Sequence, residues 1–423
     1  MRELDNSTII RIKPKPYSLV LVNLMKEIYR EMRGKQIVVS MFDKNLPAPI
    51  FVAKPQALHR LVEKLAKKEI LAVDTESNSL YAYRERVCLI QFSTTEEDYL
   101  VDPLALDDLS PLGPIFQDQR IEKVFHASEY DLLCMKRDFD FHFNNIFDTM
   151  VAASVLGRTE VGLASMLENE FGVEVNKRYQ RADWGKRPLP QQFLNYARMD
   201  THFLIHLRDR LTVELQMNDL LPLALEDFNR LAQIGERNIG VATENKEFVN
   251  ESCWRISGSY ELSAQQAAIL LELCKYRDHV AKSSNRPLFK VISDATLLSI
   301  AQAEPRTMNQ LTELPGMTQG QVYRHGEAIL KTVEKGKKSP PIYYSRAPKP
   351  DEQYIARVEE LRRWRKTTAQ VMGVKSDIIL PRDLMTTIAE KSPRNKEELS
   401  HILQDVPWRL EHFGTDILKV LQS

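Results

Sequence analysis

The run Ile70-Leu71-Ala72-Val73-Asp74-Thr75-Glu76 decides how the first half of this chain folds. Four apolar residues in a row, without glycine or proline, read as a buried strand that ends in two acids. Alternate side chains of a strand point to opposite faces, so Asp74 and Glu76 share a face and can both grip one hard cation. Taken alone the pair is weak, because an exposed strand end accounts for an acid-x-acid tripeptide equally well.

The surroundings of that run set the fold class. Leu58, Leu61, Val62 and Leu65 upstream mark one face of a helix. Downstream, Val87 to Phe92 and Tyr99-Leu100-Val101 read as further strands, and helical spacing follows near residues 129–138, 148–156, 163–171 and 190–215. Strands first and interleaved helices after them predict an α/β domain, a mixed sheet covered by helices. Only 15 of the 423 residues are glycine, which argues against a turn-dense all-β design. With 43% hydrophobic and 27% charged residues, wholesale disorder is excluded. At about 150 residues per domain, the length suggests roughly three domains.

From about residue 261 the pattern becomes all helical and the chain repeats itself. Tyr276-Arg277 matches Trp364-Arg365, Ile300-Ala301 matches Ile388-Ala389, Pro305-Arg306 matches Pro393-Arg394, and Gly326 matches Gly414. Each pair is offset by 88 residues without a gap, which marks a duplicated module. The connector from Glu334 to Pro350, with Lys335, Lys337, Lys338 and its prolines, reads as an extended basic linker.

Fifty-eight basic residues balance fifty-eight acidic ones, so a globally basic nucleic-acid coat is excluded but a local groove is not. Residues 1–50 carry a net +4, residues 51–215 a net −6 and residues 216–423 a net +2. The acidic excess thus sits in the block that holds the Asp74 run. Within residues 1–45, Leu21, Leu24, Met25, Ile28 and Met32 recur at helical spacing and suggest a short docking helix. Four scattered cysteines are too few for a disulfide framework or a zinc knuckle, which points to a reducing, cytoplasmic home. No stretch approaches the ~20 apolar residues of a membrane span, nor does the N-terminus resemble a signal sequence.

Two further carboxylate positions stand out. Asp131 lies in Phe125-His126-Ala127-Ser128-Glu129-Tyr130-Asp131, where Ser128 to Asp131 also fits a capping box. His126 reads as a strand-end histidine with a backbone partner, not a ligand. Tyr196 and Asp200, four apart in a helix that Pro190 introduces, lie on one helical face. Each position singly has a bland reading. Together, four acids from a strand and two separate helices, with a tyrosine one turn before the last, suit phosphodiester hydrolysis with two divalent cations.

This arrangement resembles the three exonuclease motifs of the DEDD superfamily, in its tyrosine-bearing (DEDDy) branch. The surroundings resemble ribonuclease D in Cys88 to Ser93, Lys123 to His126, Phe147-Asp148-Thr149, Asp183-Trp184 and Arg187-Pro188-Leu189. Tyr196 to His202 is also similar to the eukaryotic exosome-associated relatives. The repeated module resembles the HRDC domain, on Leu273 to Arg277, Asn285-Arg286-Pro287 and Leu314-Pro315-Gly316 in the first copy. The second copy departs at Ile402-Leu403-Gln404, where the Pro-Gly turn is missing.

The resemblance implies an RNase H-like exonuclease domain at 46–215, after an extension at 1–45. A connector at 216–260, one HRDC bundle at 261–337, a linker at 338–350 and a second bundle at 351–423 would follow. It implies a metal-dependent 3′–5′ exoribonuclease that releases nucleoside 5′-monophosphates from structured RNAs with 3′ tails, such as tRNA precursors. Two divalent cations, Mg²⁺ or Mn²⁺, are the expected cofactors. Asp74 would bridge both, Glu76 and Asp200 would complete the water-activating site, Asp131 would hold the second ion and Tyr196 would orient the nucleophile. RNA is the expected partner, with DNA as the nearer alternative substrate, no membrane and a monomeric state. A catalytically silent RNA-binding scaffold is the alternative from another class. Arg84, Arg86, Arg181 and Arg187 flank the motifs, and Lys275, Arg277, Lys282, Arg286 and Lys290 give the first bundle basic groups for a nucleic-acid backbone.

Overall fold

The computed structural model describes residues 46–175, 177–234, 252–343 and 351–422. The docking helix expected within 1–45 lies outside these residues, as does the proline-rich end of the linker.

Strand β1 (Ile50–Val52) leads into helix α1 (Pro55–Leu65), which opens on a proline and buries Leu58, Leu61 and Leu65. The apolar run and its acids form one strand, β2 (Ile70–Ser77). Strand β3 (Val87–Ser93), wholly buried, and β4 (Asp98–Val101), buried from Tyr99 on, follow. Next come a short helix α2 (Gly113–Gln117), β5 (Glu122–Phe125), α3 (Glu129–Phe139), β6 (Ile146–Asp148), α4 (Thr149–Val155) and α5 (Leu163–Phe171). The helical stretch expected over 190–215 is two helices, α6 (Gln191–His202) and α7 (Leu204–Met217), which meet at Phe203. Helix α8 (Leu221–Ala232) occupies part of the segment read as a connector.

The six strands run in the order β1-β4-β3-β2-β5-β6, with β3 antiparallel to both neighbours and the other pairs parallel. This is the mixed sheet the sequence predicts. Strands β1 and β6, at three residues each, are too short to display an alternation, so sequence reading passes over them. Leu71 and Val73 pack into one core with Leu58, Leu132 and Met135 of α1 and α3. Ala72, on the opposite face, joins a second core with residues of α4, α5, α7 and α8. Asp74 and Glu76 are in phase with Ala72 and therefore face that second layer.

The C-terminal half is two helical modules: α9 (Ala264–Ser284), α10 (Leu288–Val291), α11 (Asp294–Ala303), α12 (Met308–Thr312) and α13 (Gln319–Lys338), then α14 (Glu352–Met372), α15 (Ser376–Ile379), α16 (Arg382–Lys391), α17 (Lys396–Ile402) and α18 (Pro407–Gln422). Every helix of the second set starts 88 residues after its counterpart. The repeated arginine is internal: Arg277 donates to the Ile292 carbonyl at 3.1 Å, and Arg365 to the Leu380 carbonyl at 2.9 Å. Arg277 is buried and paired with Asp294, and Lys275 is paired with Glu272, which corrects their reading as backbone-binding groups. At the Pro-Gly turn, Gly316 has φ +84°, and a Cβ there would lie 2.0 Å from Thr296 Oγ1. Gln404 replaces it in the second copy, where α17 runs two residues longer than α12.

The linker begins later than its composition implies. Helix α13 continues to Lys338, and a Cβ on Gly336 would come within 2.5 Å of the Ile269 Cα, so α9 and α13 close tightly there. The cysteines also require a correction. Cys253 is bonded to Cys274, tying the approach segment to α9, whereas Cys88 and Cys134 are buried free thiols. Among the described residues no helix is long and apolar enough to cross a membrane.

The second module is anchored to the sheet domain by a buried charge cluster. Arg409, fully buried on α18, meets Glu226 Oε2 and Asp227 Oδ2 of α8, each at 2.9 Å, and donates to the Ile378 carbonyl. Arg230 of α8 reaches Asp383 at 2.7 Å. Removing Arg409 leaves the buried Glu226 carboxylate and the partly buried Asp227 without their nearest counter-charge. Arg409→Ala is therefore expected to cost about 3–5 kcal/mol. Adding Glu226→Gln and Asp227→Asn should recover much of that loss in the same urea titration.

Candidate active site

The site forms where β2 leaves the sheet. Asp74 and Glu76 project from β2 toward α6, which lies across the same face. Ser93 of β3 fixes α6 there through a 2.7 Å hydroxyl contact with Thr201 and a 2.7 Å bond to Asp98. Asp98 in turn meets His202 Nδ1 at 2.9 Å, and Arg198 donates to the Pro47 carbonyl at 2.6 Å. These anchors, at Arg198, Thr201 and His202, bracket Asp200 on α6 and begin two residues after Tyr196. Asp131 enters from the other layer, in the first turn of α3, where the helix dipole favours an acid. The structure thus brings all five sequence-predicted residues to one cleft.

The cleft makes the carboxyls hard to ionise. Burial, then the charges of Asp131, Asp200 and Glu76, hold the Asp74 carboxyl well above its ordinary range. Burial and the charges of Asp200 and Asp131 do the same for Glu76. Asp131 and Asp200 are each raised to about 7, chiefly by burial. The Tyr196 phenol is pushed up by burial and by Asp200, Glu76 and Asp74, so it stays protonated and can donate a hydrogen bond. Its ring sits 6.0 Å from Tyr179 and 6.1 Å from buried Trp184.

Neutral hydrogen bonds hold two of the acids. The Thr75 hydroxyl donates to Asp131 Oδ1, and Gln91, paired in register with Asp74, donates to its Oδ2 at 3.4 Å. Among the described residues no three His, Cys, Asp or Glu side chains close on one point as a finished ligand group. The donor set nevertheless suits hard divalent cations, being four carboxylates from three elements with neither sulfur nor imidazole.

The capping box expected at Ser128–Asp131 does not form. Ser128 makes no cap bond to α3 and donates its hydroxyl instead to Asp148, at 2.9 Å. Asp148 also accepts from the amides of Ala127, Ser128, Met150 and Val151. It caps α4 and offsets the cost of Ala127, whose φ is +61°, at the turn that launches α3. His126 pairs with the Thr149 hydroxyl at 2.9 Å, a side-chain partner rather than the expected backbone one. Sequence reading gives no role to Thr75, Gln91 or Asp148. Only Asp148 carries a signal, an acid directly before a helix. Arg187, read as a candidate for RNA, grips Asp102 with two bonds of 2.6 and 2.7 Å and donates to the Trp184 and Cys88 carbonyls.

Residues 49–216 match the 3′–5′ exonuclease family, and residues 266–333 and 355–421 each match the HRDC domain. The chain thus holds a DEDDy 3′–5′ exonuclease domain followed by two HRDC domains. Protein RRP6-like 2 of Arabidopsis thaliana is 32% identical over 295 residues, 67% of this chain and 33% of that protein. Exosome complex exonuclease RRP6 of Saccharomyces cerevisiae is 32% identical over 265 residues, 61% of this chain and 36% of its own length. The chain therefore spans about a third of these relatives. Escherichia coli RNase D, described as an exoribonuclease involved in structured RNA processing, superposes with a TM-score of 0.65 at 24% identity. That match covers 89% of this chain and 99% of RNase D, and it shows a shared fold. Exonucleases of the DEDD family use divalent metals.

The raised carboxyls predict a stability that depends on pH. A carboxyl whose folded pKa exceeds its unfolded value stabilises the fold fully below about pH 4, and that contribution is lost as pH rises toward about 7. For Asp131 and Asp200 the window runs from the ordinary 3.8 to about 7. Solvent at the cleft mouth moderates the effect to about 1–3 kcal/mol. Metal-free protein should thus melt lower at pH 8 than at pH 5 because of this cluster. Asp200→Asn should narrow that gap, read by calorimetry in EDTA, and millimolar Mn²⁺ should close it for the unaltered chain.

Proposed function

We propose that this chain is a divalent-metal-dependent 3′–5′ exoribonuclease that removes nucleoside 5′-monophosphates one at a time from RNA 3′ ends. The observation that carries the reading is the gathering of Asp74, Glu76, Asp131, Tyr196 and Asp200 from three separate elements into one half-buried cleft. Four carboxylates held above their ordinary range by burial and neighbouring charge are costly to keep, and a phosphodiesterase site gives them a use.

Asp74, Glu76, Asp131 and Asp200 would hold the cations. Once bound, these supply positive charge to the scissile phosphate and make a water nucleophilic near neutral pH. Tyr196, kept protonated, would donate a hydrogen bond that orients the attacking water. The aromatic wall of Tyr179, Trp184 and Phe193 behind it limits the water positions open to that hydroxyl. Thr75 and Gln91 would keep Asp131 and Asp74 turned toward the cleft.

The substrate reading is RNA with a single-stranded 3′ tail, tRNA precursors among them, in keeping with the substrate description of RNase D. Work alongside a larger RNA-degrading assembly fits the exosome names of the relatives. Of the basic groups read on the first HRDC domain, Lys282 and Arg286 are exposed and available to the backbone of an incoming strand.

A time course on 5′-labelled single-stranded RNA and the matching DNA, with Mg²⁺, Mn²⁺ or EDTA, tests the activity. The expected result is a ladder that shortens from the RNA 3′ end, needs metal and disappears in Asp200→Ala. Equal loss of the DNA would show an exonuclease blind to the 2′-hydroxyl. RNA retained on a filter yet uncut under every metal would reduce the protein to a binder. Replacing Lys282 and Arg286 with alanine should make the slope of log affinity against log salt shallower by about 1–1.5. An unchanged slope would take this face off the RNA path.

A further inference from the structure

The loop from Asn78 to Arg86, between β2 and β3, joins the elements of the site to one another. It is a closed unit that begins two residues after Glu76. The Arg86 amide donates to Asn78 Oδ1 at 2.9 Å, and the Tyr81 and Ala82 amides donate to the Asn78 carbonyl at 2.8 and 3.1 Å. Glu85, near the end of the loop, accepts from the hydroxyl of Tyr130, the residue before Asp131, and pairs with Arg137 of the same helix. The Tyr81 hydroxyl donates to the Arg181 carbonyl at 2.7 Å, in the segment that brings Tyr179 and Trp184 to Tyr196. One loop therefore touches the strand of Glu76, the helix of Asp131 and the wall behind Tyr196.

The same loop is gripped by the first HRDC domain. The half-buried Tyr83 ring packs against that domain's core. Its hydroxyl donates to Asp278 Oδ1 at 2.6 Å, and its amide donates at 3.2 Å to Oδ1 of Asn285, the left-handed residue that ends α9. Lys290 Nζ lies 4.0 Å from the centroid of the Tyr81 ring, a cation–π contact.

The second HRDC domain docks with the equivalent corner, on a different site. Gly373, the counterpart of Asn285, has its carbonyl so near Gly157 that a Cβ on Gly157 would lie 2.5 Å away. Ile378, the counterpart of Lys290, is buried in the core beneath α4, α5, α7 and α8. Both copies thus use the end of their first helix to hold the exonuclease domain. Only the first copy holds the loop beside the acids.

We propose that the first HRDC domain is a positioning element of the active site. Tyr83, held by Asp278 and Asn285, fixes the Asn78–Arg86 loop and so the relative placement of Glu76, Asp131 and Tyr196. β2 has an irregular register between Glu76 and Ser77, so the sheet hydrogen bonding that orders Asp74 weakens where this loop begins. Shifts of about 1 Å in such a constellation are enough to slow turnover severely. The kinetic consequence rests on the exonuclease reading; the structural one does not.

The test uses the full chain with Tyr83→Phe, which keeps the ring in the HRDC core, and separately with Asp278→Ala. Hydrogen exchange reads the Tyr81, Ala82 and Arg86 amides. Kinetics with Mn²⁺ use the p-nitrophenyl ester of thymidine 5′-monophosphate, too small to span the cleft and the HRDC domain, beside a labelled RNA. Each variant should speed exchange in the loop about three- to tenfold and lower kcat on the small ester by a similar factor, the span expected of one hydrogen bond. The double variant should be no worse than the poorer single one. Unchanged exchange would overturn the proposal. So would an unaltered ester turnover with only a raised KM for RNA, which marks a substrate-binding surface and nothing more. A wild-type chain that cleaves neither substrate would sink the exonuclease reading alone, since the exchange arm still decides whether Asp278 and Tyr83 hold the loop.

Discussion

Four carboxylates held within reach of one another, partly out of water, form the constraint around which the exonuclease domain is arranged. Such a group is unfavourable twice over, through desolvation and through mutual repulsion. The fold opposes both with rigid neutral partners. Thr75 and Gln91 hold Asp131 and Asp74, and Ser93 and Thr201 pin the helix of Asp200 to β3. Asp148, with five donors on its two oxygens, fixes the turn that sets Asp131 at the head of its helix. None of these groups needs to meet the substrate, yet each restricts where an acid can go.

The HRDC duplication shows how one module can serve two structural purposes. Its internal lock, an arginine donating to a carbonyl fifteen residues on, is the same in both copies. Its docking chemistry is not. The second copy presents Ile378, Trp408 and Arg409 and is seated by apolar contact and a buried ion cluster, an attachment that cannot open without exposing charge and core together. The first copy presents Asp278, Asn285 and Lys290 and is seated by polar contacts at an exposed seam. Polar seams adjust more readily, and this one lies beside the acids.

Much of this is legible in the sequence. The gapless offset of 88 residues marks the helices of the second module one by one, because a duplicated chain keeps its caps and core positions in register. The strand ending in Asp74 and Glu76 is legible because a four-residue apolar run is too short for a buried helix and long enough to cross a sheet. The five site residues are legible as a set, since chance rarely supplies that order of acids with a tyrosine one turn before the last. Short strands such as β6 are not, since three residues carry no period.

Sequence by itself therefore singled out the five candidate site residues, the α/β character of the first half and the repeated helical character of the second. Tertiary structure alone decided what those residues lean on. Ser128 looks like a cap, but the carboxylate it meets is Asp148, twenty residues away. Arg187 and Arg277 look like free basic groups, yet each is engaged by an internal acid or carbonyl. Cys253 and Cys274 look unrelated and are bonded. The reason is common to all of them: propensity and periodicity are local properties of the chain, whereas the partner of a polar side chain is chosen by packing, which brings distant segments together only once the core has formed.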